Sequence, residues 1–88
     1  MIETVWERII ANEGEEFHLK GGAKFTYQIE ENALRPSTHK TPIHKGQFEK
    51  GLELVPVKNT VPFQKANLWG PSYLYAILMD ERIKQNSW

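Results

Sequence analysis

The hydrophobic period of the chain changes near Gly14, and that change limits the fold more than any other feature. Before it, Ile2, Val5, Trp6, Ile9 and Ile10 recur at i, i+3, i+4, i+7 and i+8, so they lie on one helical stripe while Glu3, Glu7 and Arg8 fall elsewhere. After it the period is two: Phe17 and Leu19 alternate with polar neighbours, and Phe25, Tyr27 and Ile29 do the same beyond Gly21-Gly22. A chain that carries both periods in succession is an α+β domain, with helices packed against one face of an antiparallel sheet.

The remaining elements follow from punctuation. Asn12 and Gly14 suit the end of the first helix because both tolerate a left-handed backbone. Gly21-Gly22 supplies a hairpin turn, and Glu30-Glu31-Asn32 offers a second turn into Ala33-Leu34-Arg35, which predicts a three-stranded meander. Pro36 removes a ladder donor, so the third strand is expected to be short or at an edge. Phe48, Leu52 and Val55 then sit at i, i+4 and i+7, predicting a second helix over about 46–55 that is stapled by Ile43 and stopped by Pro56. Gly51 inside it costs about 1 kcal/mol relative to Ala, so this helix depends on packing. Residues 56–69 show no period and read as an irregular connection returning Val61, Phe63, Leu68 and Trp69 to the body. Gly70-Pro71-Ser72 starts a last helix, with Tyr73, Leu74, Ile77 and Leu78 on one stripe and Tyr75, Met79 and Ile83 on another. The expected order is α-β-β-β-α-α in one domain, residues 1–88.

The core has to hold this domain by itself. With no cysteine among its 88 residues the chain has neither a disulfide framework nor a thiolate zinc site, and a domain of this size buries only about 60–65% of its unfolded surface. The longest apolar run, Tyr73 to Met79, is seven residues, against the roughly 20 needed to span a bilayer. Met1-Ile2-Glu3 lacks the basic and apolar regions of a secretory signal, so the sequence reads as cytoplasmic with no membrane partner.

Zero net charge conceals a division. Residues 1–19 hold five Glu against Arg8, a balance of −4, and residues 20–68 hold eight Lys or Arg against four Glu, a balance of +4. The basic part is densest between Arg35 and Lys50, where Arg35, Lys40, Lys45 and Lys50 face only Glu49 and are interleaved with His39 and His44. Lys45 stands at the expected start of the second helix, where free amides and the helix dipole favour an anion. Arg35, Lys40, His44, Lys45 and Lys50 are therefore the expected contacts of a module that binds nucleic acid or another polyanion weakly and without base preference. Its bland counterpart is a solvated basic face. On the binding reading, acidification adds charge at His39 and His44 and strengthens anion binding.

Catalysis has no comparable support. No nucleophile elbow, phosphate-binding glycine loop, His-Glu-x-x-His or EF-hand spacing is present, His18 alternates outward from a strand, and Glu13, Glu15 and Glu16 read as a solvated cluster. His39 and His44, five apart without further ligands nearby, do not make a metal site. The expectation is a non-enzymatic domain with no cofactor and no metal. An alternative to polyanion binding is a homodimer or protein-partner contact through Tyr75, Met79, Ile83 and the terminal Trp88, because Tyr, Trp and Met are enriched at interface centres. Phe25 and Tyr27 share the buried phase of the hairpin and are read as core.

Overall fold

The computed structural model describes residues 1–88 and arranges them as five helices and five short strands in two antiparallel sheets. The α+β class is the one the change of period indicates. The elements are more numerous than the sequence spacing shows.

Helix α1 spans Ile2–Ala11 and buries Val5, Trp6 and Ile9, with Ile2 half-buried. Ile10 stands 45% exposed, so the apolar stripe is one residue narrower than its spacing predicts. The helix is capped by Asn12, whose side-chain amide donates to the Arg8 carbonyl at 2.9 Å. Gly14, at φ +85°, then turns the chain toward the sheet. Its amide donates to the Tyr27 carbonyl at 3.1 Å, and the Ile29 amide donates to the Glu13 carboxylate at 2.7 Å. Glu13 therefore satisfies a strand amide, a role its place in an acidic cluster does not reveal.

Strands β1 (Phe17–His18) and β2 (Lys24–Phe25) form the hairpin expected around Gly21-Gly22, with Gly22 at φ +97°. At Thr26 the chain changes partner. Its amide donates to the Ser37 hydroxyl at 3.0 Å and its carbonyl accepts from the Ser37 amide at 2.8 Å, so the strand bends away from β1. It continues as β3 (Tyr27–Glu30), paired with β4 (Ala33–Pro36) in the register Tyr27↔Pro36 to Glu30↔Ala33. The expected single meander is thus two sheets, because one strand changes ladders halfway. A further strand, β5 (Ile43–His44), pairs antiparallel with β4 through Ala33↔His44 and Leu34↔Ile43. It was hidden in a stretch with Pro36 and Pro42 that reads as loop. Pro36 ends β4, as its missing donor requires.

Helix α2 spans Lys45–Leu52 and buries Phe48 and Gly51. The Trp6 and Phe48 rings meet with centroids 5.6 Å apart, joining α2 to α1. Gly51 lies against α4 so closely that a Cβ there would be 3.0 Å from Leu78 Cδ1. That close approach accounts for a poor helix former within the helix. Helix α3 (Val61–Lys65) occupies part of the connection expected to be irregular; Pro62 fits its first turn, Asn59 Oδ1 accepts from the Val61 amide at 2.9 Å, and Phe63 is fully buried. Val61, expected in the body, is exposed.

Helix α4 (Pro71–Leu78) begins where Gly70-Pro71 predicts, with Gly70 in the left-handed conformation at φ +65°, and buries Leu74, Ile77 and Leu78. It stops at Met79 instead of continuing through Ile83. Asp80 starts a separate helix α5 (Glu81–Lys84) by accepting from the Arg82 amide at 2.9 Å. One core of sixteen apolar side chains joins the five helices to both sheets, and no buried polar side chain is left without a partner. No helix is long and apolar enough to cross a membrane.

Candidate binding site

The basic segment is divided by the fold. Arg35 projects from the outer face of β4 and is already engaged: its guanidinium lies 2.9 Å from the Glu30 carboxylate and donates to Gln28 Oε1 at 3.3 Å. His44, opposite Ala33 in the ladder, shares that outer face by the two-residue alternation. Its Nδ1 accepts from the Gly46 amide at 3.1 Å, which makes it the N-cap of α2. The ring thus uses the amide that the sequence left free for an anion. Lys45 turns toward α1, its Nζ 6.0 Å from the centre of the Trp6 ring. Lys50, further along α2, lines a groove with Glu3, Glu49 and Glu53. Lys40 is exposed in the loop before β5. Of these residues only Arg35 is ion-paired; Lys40, Lys45 and Lys50 have no carboxylate within 4.0 Å.

The second stripe of the C-terminal segment is mostly turned inward. Ile83 is fully buried and offers no surface. Tyr75 and Met79 are half-buried on the core, and the Tyr75 hydroxyl donates to the Lys58 carbonyl at 3.1 Å. Trp88 folds back so that its indole N–H donates to the Leu78 carbonyl at 2.9 Å. Nearby, the Arg82 guanidinium lies over the Phe17 ring at 3.8 Å, donates to both Asp80 carboxylate oxygens at 2.9 Å, and reaches the Glu16 carbonyl at 2.9 Å. Partial burial alone would raise the Asp80 carboxyl, but the hydrogen bonds from the Arg82 side chain and amide outweigh it and hold the group below the usual carboxylate range. The same side-chain bond raises Arg82. Burial likewise pushes the Tyr27 phenol well above its ordinary value, and its hydroxyl donates to the Ile9 carbonyl. These perturbed groups tie elements together.

A different place gathers recognition chemistry. Between the loop after β4 and the start of α4 lies a recess of about 270 Å³ lined by His39, Ile43, Trp69, Gly70, Pro71, Ser72 and Tyr73. The His39 ring meets Trp69 edge-on at 5.5 Å and Tyr73 at 6.0 Å. Tyr73 is held from behind by Phe25, centroid to centroid 5.0 Å, and its hydroxyl pairs with the Thr38 hydroxyl at 2.7 Å. Trp69 is fixed through its main chain, the amide donating to Gln47 Oε1 at 2.7 Å, while 46% of the residue remains exposed. The floor depends on Gly70, where a Cβ would stand 2.7 Å from Ile43 Cδ1.

The sequence does not bring these residues together: His39 lies among the cations, Trp69 in the connection that returns to the core, and Tyr73 on a helical stripe. The available signal is a tryptophan that belongs to neither stripe and stands directly before the Gly70-Pro71 helix start. No group of three or more His, Asp or Glu side chains is placed to hold a metal ion. No family model, curated protein or solved structure matches this chain.

Proposed function

We propose that this domain is a non-enzymatic interaction module that engages another protein through the recess formed by His39, Ile43, Trp69 and Tyr73. The observation that carries the reading is Trp69, a large aromatic side chain left 46% exposed beside two further rings although its backbone is pinned. Tryptophan and tyrosine in a preformed depression are the side chains that most often anchor protein interfaces. The test places a photo-crosslinking aromatic residue at position 69 of the full chain in cells. Covalent adducts with protein are the expected product; adducts with nucleic acid alone, or none, would oppose the reading.

A second reading retains weak polyanion binding by Arg35, Lys40, His44, Lys45 and Lys50. What favours it is that Lys40, Lys45 and Lys50 are free of ion pairs. Each phosphate neutralised adds about 0.9 to the slope of log affinity against log salt, so Lys45→Glu should weaken binding to duplex DNA and flatten that slope. A wild-type protein that binds neither DNA nor RNA at low salt removes this reading.

A further inference from the structure

We draw no further inference here: the strongest candidate, the apolar recess of His39, Trp69 and Tyr73 between the loop after β4 and the start of α4, belongs to the site already described, and nothing in the structure shows what covers it.

Discussion

Two aromatic clusters of this domain are treated in opposite ways. At Phe17 the ring is fully buried, Arg82 covers it at 3.8 Å, and Arg82 is itself held by both oxygens of Asp80 and by the Glu16 carbonyl. At Trp69 the ring is half in solvent, its indole N–H has no partner, and only the backbone is tied down. Phe17 and its neighbours join β1 to α5 and satisfy their polar groups internally. The Trp69 cluster leaves donors unused while its scaffold is fixed by Gln47, Phe25 and the Gly70–Ile43 contact. A polar atom satisfied inside the chain contributes to folding, whereas the exposed Trp69 indole N–H is left to solvent, or on the proposed reading to a partner.

If this contrast is real, the two rings respond differently to removal. Phe17→Ala deletes a side chain that touches the Phe25 and Tyr27 rings at centroid distances of 6.0 and 5.3 Å and leaves Arg82 with no surface to cover. A loss of about 3–5 kcal/mol is expected, enough in so small a domain to unfold much of the population, and urea titration followed by circular dichroism measures it. Should Phe17→Ala cost under about 1 kcal/mol, the cluster is not the structural joint described here.

The Asp80–Arg82 pair gives the next largest effect and carries a pH signature. Asp80→Ala removes the α5 cap and the partner of Arg82, for about 1–2 kcal/mol, discounted from a buried pair because the Arg82 side chain is 39% exposed. The Asp80 carboxyl is lower in the folded chain than its ordinary value of about 4, so its stabilisation is complete above that value and is lost as pH falls through the folded one. Asp80→Asn can still cap the helix but cannot titrate. Thermal melts should therefore show a constant gap between wild type and Asp80→Asn from about pH 5 upward, closing below about pH 4. A gap unchanged at low pH would mean that the carboxylate charge contributes nothing.

Gly51→Ala sets two smaller terms against each other. Alanine improves helix propensity by about 1 kcal/mol, but its methyl would meet Leu78 Cδ1 at 3.0 Å, so the fully buried Leu78 side chain would have to give way. A net loss of about 0.5–2 kcal/mol is expected in denaturant titration. A gain would show that α2 and α4 are not in close contact.

How far the sequence shows these features depends on whether their cause is local. Helix α1, the Gly21-Gly22 hairpin and the Gly70-Pro71 helix start are all legible, because periodicity and turn chemistry act over a few residues. The break at Asp80 was also local, an aspartate able to cap, yet an apolar pattern running on to Ile83 obscured it. The change of ladder at Thr26 depends on Ser37, and β5 depends on β4, so neither can be read from its own residues. The recess is the extreme case. It joins residue 39 to residues 69–73, and what brings them together is the core beneath them, including Phe25 against Tyr73. Charge density along the chain pointed to 35–50 instead, but Arg35 meets Glu30 across a turn and His44 spends its ring nitrogen on a cap.

The smallest expected stability change is the most discriminating. Trp69→Ala should alter unfolding free energy by less than about 0.5–1 kcal/mol, because the side chain is 46% exposed, its indole N–H bonds to nothing in the fold, and the Gln47 contact is made by the main-chain amide that alanine retains. On the reading proposed above, a small cost is what a ring turned toward a partner predicts. If instead Trp69→Ala destabilises by 3 kcal/mol or so, as deletion of a core aromatic does, then Trp69 is a lid over Ile43 and Tyr73, the recess is incompletely packed core, and the difference between the two clusters disappears. Parallel denaturant titrations of Phe17→Ala and Trp69→Ala decide this before any partner is known.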